Sequence, residues 1–341
     1  MWKEKYGSGW RRQKDLLFER EEVETIPQLL AKLADLQDRG FYFRGQSDAR
    51  YKITSSIQRA WLNGESWRRR ADDLCFAEFS KELVNHARDS LFAKSRKPRV
   101  MDHEIWGYLQ HYCCPTPFID FSFDPFVALY FALDHARTDE GCCSVYAMEP
   151  EEYRKSNWRD FIRLDEFLRD AYAKSANRNT PADADSIGKE IRSLREAEFE
   201  YWGYLDKTAG GMTSVGGMPK DGVALFIYKD FSKWHRKAVT PRLKSQKGLF
   251  VYAPIEDESL EEFIYRKNKE VNPDGDPDGF AYRRIKCLDI PCSLVEEARR
   301  SVSDAKITES SLRLDPCLKE NKAKEMFGSW LNFLAGDEGL S

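Results

Sequence analysis

The sequence has no uninterrupted apolar run approaching the ~18 residues that a membrane-spanning helix needs. Its amino-terminal stretch, MWKEKYGSGWRRQK, lacks the apolar centre of a signal peptide. These two absences lead to the expectation of a cytoplasmic protein without a membrane partner. Charge of one sign is missing as well: 54 Lys and Arg stand against 57 Asp and Glu, a formal net charge of -3. No global basic field therefore draws the chain to nucleic acid or lipid, although a local basic groove is compatible with that balance. The eight cysteines follow no disulfide-framework spacing, and two pairs are adjacent, Cys113-Cys114 and Cys142-Cys143, which suits reduced thiols. Internal repeats and low-complexity tracts are absent too.

What is present is material for a core. With 41% hydrophobic and 13% aromatic residues over 341 positions, the chain can build one large domain or two modest ones. Ile26, Leu29, Leu30, Leu33 and Leu36 recur at helical spacing and predict a helix over 26–39, ended by Gly40. A strand is expected over 41–44. A helix over 72–92 carries Phe76, Phe79, Leu83, Ala87 and Leu91 on one face, and another covers 102–111. Further strands are expected at 118–122, 142–148, 223–228, 248–252 and 283–290, and helices at 294–302 and 318–334. Between Pro150 and Asp206 lies a mixed-charge helical insertion. The glycine-rich AGGMTSVGGMPKDG that follows lacks the lysine-serine ending of a P-loop and reads as a surface loop rather than a phosphate cradle. Strands separated by unequal helical insertions point to an α+β fold.

The densest chemistry lies in HYCCPTPFIDFSFDPFVALYFALDH, from His111 to His135. Pro115 and Pro117 hold the chain extended. Asp120 and Ser122, two apart on a strand, project from one face. Asp124 followed by Pro125 is an N-cap with proline at the first helical position, and the helix behind it is apolar almost all round, hence buried. Ser122 has neither a histidine pattern nor a glycine-flanked elbow, so positioning a ligand or bracing Arg44 fits it better than covalent catalysis, with a turn role feeding the Asp124 cap as the plainer alternative. Arg44, at the end of an aromatic strand and before Gly45, suits a bidentate grip on phosphate or carboxylate, or a buried ion pair with a carboxylate such as Asp120. Gln246, in a polar turn before an apolar strand, offers both a donor and an acceptor. His103, His111 and Cys113 or Cys114 form no second paired cluster at ligand spacing, so no metal is expected. The runs Arg68-Arg69-Arg70 and Lys94 to Arg99, with Trp61 and Trp67 nearby, read either as a nucleic-acid track or as solvated helix ends.

Three blocks together resemble the FRG domain, named for its Phe-Arg-Gly motif: FYFRGQ (Phe41 to Gln46), the His111 to His135 segment, and PRLKSQKGLFVY (Pro241 to Tyr252). The family pattern is an aromatic-Arg-Gly, then "QHYG-P-T-LLDWT-P-ALYFA", then "R-AQ-G-F". Here Cys113 and Cys114 fall where a glycine is usual at one position, and Phe121 falls where tryptophan is frequent. The resemblance implies an FRG domain over 41–255 interrupted by the insertion at about 150–206, preceded by an N-terminal helical segment (1–40) and followed by a C-terminal strand and helices (256–341) packed on the core. The order of the blocks is also similar to ADP-ribosyltransferases of the Arg-Ser-Glu type. That second likeness implies a mixed-sheet core with flanking helices and NAD as co-substrate. It implies catalytic roles for Arg44, Asp120 and Gln246, with Gly45, His111, Tyr112 and Ser122 joining Arg44 in binding the cofactor. The expected activity is transfer of ADP-ribose to RNA, DNA or protein, in a toxin of bacterial defence or toxin-antitoxin systems with an antitoxin or chaperone partner. The alternative is a catalytically silent nucleotide-binding or protein-interaction module.

Overall fold

Several expected strands, GLFVY and CCSVYAM above all, are near-continuous apolar runs and therefore have two faces to bury. The computed structural model describes residues 4–62, 76–92, 102–136, 142–148, 224–226, 241–253, 255–271, 285–312 and 325–330. The insertion at 150–206, the glycine-rich loop and the two basic runs lie outside the described residues. Seven strands, β1 (Glu19–Glu22), β2 (Tyr42–Gln46), β3 (Phe118–Ser122), β4 (Cys142–Met148), β5 (Ala224–Phe226), β6 (Gly248–Tyr252) and β7 (Ile285–Pro291), form one sheet in the order β1-β7-β4-β2-β3-β6-β5. The β1–β7 pair is parallel and every other pair antiparallel. The mixed sheet and its helices make the protein α+β, as the sequence predicts.

Helices among the described residues include α1 (Trp10–Leu17), α2 (Ile26–Asp38), α3 (Ser56–Leu62), α4 (Phe76–Ala87), α5 (Asp102–His111), α6 (Pro125–Leu133), α7 (Pro241–Ser245), α8 (Leu260–Val271), α9 (Val295–Asp304) and α10 (Glu309–Leu312). A π-helical turn, Arg88–Phe92, continues α4. On one face of the sheet, Phe118, Phe250 and Tyr252 pack with Trp61, Phe79, Trp106 and Leu109 from α3, α4 and α5. Beside them on that face, Phe43, Val145, Ala147, Leu288 and Ile290 meet α2, α6 and α9. The opposite face buries Tyr42, Ile119, Phe121, Tyr146, Leu249 and Val251 against Phe18 and Phe263. The alternation 118/119, 145/146 and 250/251 is thus the sheet's two-sided core, read directly from strand geometry. Trp61 is buried in this packing, with its Nε1 donating to Glu256 Oε1 at 2.9 Å. It is therefore a core residue and has no face to offer a base.

Several elements fall outside the hydrophobic pattern. Strand β1 is EREE, without an apolar residue, and owes its existence to its place at the sheet edge, where charged side chains are tolerated and discourage further pairing. Arg20 and Glu19 on this strand reach Asp289 and Lys286 of β7. Close by, Lys14 of α1 is fully buried with Nζ 2.6 Å from the equally buried Asp289 Oδ1, and Ser144 Oγ donates to the same oxygen at 2.5 Å. Burial works against the charge on Lys14, but Cys287, Tyr146 and the Asp289 carboxylate around it more than offset this and raise its pKa.

Strand β2 and helix α6 approach at backbone contact. A Cβ built on Gly45 would lie 1.9 Å from the Ala128 carbonyl oxygen and 2.4 Å from the Ala132 nitrogen, so the helix backbone occupies the space of a side chain. Gly45→Ala is expected to destabilise the fold by about 3 kcal/mol or more, because backbone and not a flexible side chain must move. Urea unfolding checks this, and a midpoint close to that of the parent protein would contradict the contact.

A second constraint is electrostatic. Glu261, at the start of α8, is fully buried; it accepts from the Tyr6 hydroxyl and from the Ile53 N–H at 3.3 and 3.2 Å. Burial raises its pKa from 4.5 to about 7. Folding therefore favours its protonated form: the contribution is complete below pH 4.5 and lost as the pH rises through about 7. Over that window stability should fall by an amount on the order of 3 kcal/mol, seen as a lower Tm at about pH 8 than at about pH 5. Glu261→Gln should flatten this slope, and an unaltered slope would assign it to other groups.

Candidate functional site

Strand β2 pairs with β4 along its whole length, from Tyr42↔Met148 to Gln46↔Ser144, and β3 pairs fully with β6. Between themselves, however, β2 and β3 share the single pair Phe43↔Ser122. Beyond it they part. In a continued register Gly45 would stand opposite Asp120. Instead the Asp120 carbonyl accepts from Arg44 Nη1 at 2.7 Å, so a guanidinium takes the place of a ladder N–H. The fork opens into a cavity of about 630 Å³, lined by residues of β2, β3, α3, α5, α6 and α7 and of the loops 47–54 and 113–114.

Arg44, Gly45, His111, Asp120, Ser122 and Gln246 all line this cavity. Residues from three sequence blocks separated by more than half the chain are thus brought together. Tyr112 lies outside the lining and packs edge-on against His111 and Tyr108, with ring centroids 4.7 and 4.5 Å apart. Among the convergent residues, some face a ligand and others hold the frame. Gly45 is required by the packing of α6. The Ser122 hydroxyl donates to the Gln246 carbonyl at 2.8 Å and accepts from the Asp124 N–H at 2.9 Å. Asp124 caps α6 by accepting from the Phe126 N–H at 2.9 Å and pairs with Lys247 at 2.7 Å. Ser122 therefore ties β3, the α6 N-terminus and the Gln246 turn into one junction.

Arg44 does not pair with the Asp120 carboxylate. Its Nε is buried and has no hydrogen-bond partner, and the same holds for Gln46 Oε1 two residues on. Burial lowers the Arg44 pKa, and Asp120 acts against this; an arginine nevertheless keeps its charge in a protein. Unsatisfied buried polar atoms are rare in folded chains and mark a place where a polar ligand or water completes the structure. The Asp120 carboxylate is exposed to the cavity and aimed by Gln110, whose Nε2 donates to Oδ2 at 2.7 Å while its Oε1 accepts from the Thr116 hydroxyl. Gln246 uses Nε2 on the Leu312 carbonyl at 3.3 Å, which leaves its amide oxygen to accept from a ligand.

Cys113, just after α5, has φ 58°. This is the left-handed conformation in which glycine is favoured, and it accounts physically for the glycine of the family pattern in this block. His111, in the last turn of α5, is held well below the ordinary imidazole range, at about 4, by burial and by the nearby Arg242 guanidinium. The imidazole is thus neutral at physiological pH.

Sequence reasoning alone did not single out Glu4, Gln46, Lys52, Arg59, Gln110 or Arg242, all of which line the cavity. Lys52 is engaged with Glu262 at 2.6 Å, and Arg59 with Glu4 at 3.6 Å and the Thr54 carbonyl at 2.8 Å. The signal for Arg242 and Gln110 lay in the quoted family pattern, where they fall on the Arg of "R-AQ-G-F" and the Gln of "QHYG". Among the described residues there is no group of His, Cys, Asp and Glu that could hold a metal ion, and no helix long and apolar enough to cross a membrane.

The aromatic-Arg-Gly strand, the polar strand forked from it and the buried helix that closes the fork are similar in sequence to a known family. The FRG domain family model matches residues 39–141; the matched segment holds Arg44, Gly45, His111, Tyr112, Asp120 and Ser122. The third block, with Gln246, lies beyond the matched residues and joins the site through β6. No curated protein and no solved structure matches the chain.

The placement of His111 can be tested directly. Its NMR titration midpoint should lie near 4, and Arg242→Ala should move it upward while burial keeps it under the ordinary value of about 6.5. An unperturbed midpoint in the parent protein would contradict the arrangement.

Proposed function

We propose that the cavity binds NAD and that the protein transfers ADP-ribose to a macromolecular acceptor. One observation carries this reading: the aromatic-Arg-Gly strand, the Asp120–Ser122 strand and the Gln246 turn, which resemble the blocks of Arg-Ser-Glu type ADP-ribosyltransferases, converge on one cavity of about 630 Å³. That size suits a nucleotide ligand. The charged Arg44, with Nε unsatisfied, fits a diphosphate oxygen, and Gln46 Oε1, equally unsatisfied, fits a ribose hydroxyl or amide donor.

In this reaction the bond between the ribose and the nicotinamide nitrogen breaks, and its electron pair leaves with neutral nicotinamide. The acceptor's lone pair forms the new bond to the sugar, and the acceptor loses a proton. Positive charge develops on the ribose, as in glycoside hydrolysis, and a carboxylate near it lowers the barrier. Gln246 is neutral and cannot supply that charge, so Asp120, held by Gln110, takes this role. Gln246 Oε1 accepts from a ribose hydroxyl. Toxicity in a bacterial defence or toxin-antitoxin setting would follow from such an activity on RNA, DNA or an essential protein.

A second reading is a silent nucleotide-binding module. It is favoured by the neutral Gln246 and by Ser122, whose hydroxyl is committed to the junction. The two separate in one assay, in which adenylate-labelled NAD is incubated with RNA, DNA or cell lysate while nicotinamide release and label transfer are followed. Transfer predicts label on one acceptor class, with Arg44→Ala and Asp120→Asn each reducing it by about 100-fold or more while far-UV CD and Tm show the fold retained. Nicotinamide release without labelled acceptor would identify hydrolysis. NAD binding that depends on Arg44 with no turnover would establish the silent module.

A further inference from the structure

Four cationic side chains line the cavity, and three are engaged within the protein. Arg44 donates to the Asp120 carbonyl, Lys52 pairs with Glu262, and Arg59 is held by Glu4 and Thr54. The guanidinium of the fourth, Arg242, makes no hydrogen bond or ion pair among the described residues, yet it lies in the cavity wall close enough to His111 to disfavour a positive charge there. The two residues come from different elements, α7 and the C-terminal turn of α5. A guanidinium and a neutral imidazole side by side in a cavity wall can both donate to an anion held between them.

We propose that Arg242 and His111 form a phosphate-binding subsite in the cavity wall, serving the same ligand that Arg44 grips at the fork. The inference rests on the reading of the cavity as a nucleotide site and adds the residues that receive a phosphate from the α5–α7 side. Arg242 acts as the charged fork and His111 as a neutral N–H donor. The helix α7 that carries Arg242 also leads into Gln246, with the Gln246 N–H donating to the Arg242 carbonyl at 3.0 Å. The phosphate subsite and the ribose-facing glutamine are therefore positioned by the same turn of chain.

Isothermal titration with inorganic pyrophosphate, AMP, NAD and adenosine, on the full chain and on Arg242→Ala, Arg242→Lys and Arg44→Ala, tests the subsite. Arg242→Ala is expected to weaken pyrophosphate and NAD by about tenfold or more, with Arg242→Lys intermediate and the phosphate-free adenosine unaffected. The His111 NMR signals should move on adding pyrophosphate to the parent protein and stay in place in Arg242→Ala. That spectroscopic response separates a ligand contact from a structural role. Phosphate-ligand affinities in Arg242→Ala within about twofold of the parent would overturn the subsite, and so would the absence of phosphate-ligand binding by the parent protein. Arg242-dependent pyrophosphate binding without NAD binding would leave the subsite standing and remove the NAD reading. NAD binding that needs Arg44 but not Arg242 would do the reverse.

Discussion

The approach of α6 onto β2 at Gly45 is the constraint on which the site depends. Because the backbones of Ala128 and Ala132 fill the space of a side chain at position 45, the helix is fixed against the strand that carries Arg44. The same helix begins at Asp124, whose cap is tied through Ser122 to the Gln246 turn. One helix therefore sets the distance between the fork and the β6 side of the cavity. Its apolar surface, buried against Phe43, Val145 and α2, supplies the free energy that holds this geometry.

The fork itself is a local failure of pairing put to use. Two antiparallel strands that share one register pair leave backbone polar groups without ladder partners, and an exposed edge of that kind normally invites aggregation. Here the opening is internal, between strands fully paired on their other sides, and Arg44 satisfies the Asp120 carbonyl. The guanidinium is thus both a structural stopper and a charged group at the opening. The two roles that the sequence leaves open for Arg44 belong to one side chain. Its structural partner is a carbonyl rather than a carboxylate, so the Asp120 carboxylate remains available to a ligand.

At the other end of the sheet, buried charge joins the chain's beginning to its end. Lys14 of α1 and Asp289 of β7 are fully enclosed; Asp289 Oδ1 binds Lys14 and Ser144, and its Oδ2 faces Arg20 Nε at 3.1 Å. Removing either partner would leave an uncompensated buried charge, which is far more costly than the pair itself is stabilising. This pair, with the parallel β1–β7 ladder, inserts β7 between β1 and β4, and Tyr6 on Glu261 brings the first residues alongside the loop that rims the cavity. The N-terminal segment, read from sequence as helical, accordingly contributes an edge strand and a cavity residue, Glu4, in addition to its helices.

What the amino-acid sequence determined by itself was what local periodicity and local chemistry can carry. The helix of Ile26 and Leu33, the Asp124–Pro125 cap, the strands at 118–122, 142–148 and 248–252, and the α+β class are all legible, because burial imposes repeats of 3.6 and 2 and capping needs particular residues at fixed offsets. The motif residues Arg44, Asp120, Ser122 and Gln246 were legible as candidates through their family pattern. Tertiary structure alone decided which of them frame the site and which face it: Gly45 and Ser122 hold the frame, Arg44 both braces the fork and faces it, and Asp120 and the Gln246 oxygen look into the cavity. It also decided the roles of Gln46, Gln110 and Arg242, and the existence of the all-charged strand β1. Gln110 and Arg242 stand in the quoted family pattern, but their partners do not show in the sequence, since a hydrogen bond to a distant carboxylate, an unpaired Nε and an edge position arise only when segments far apart in the chain are brought together.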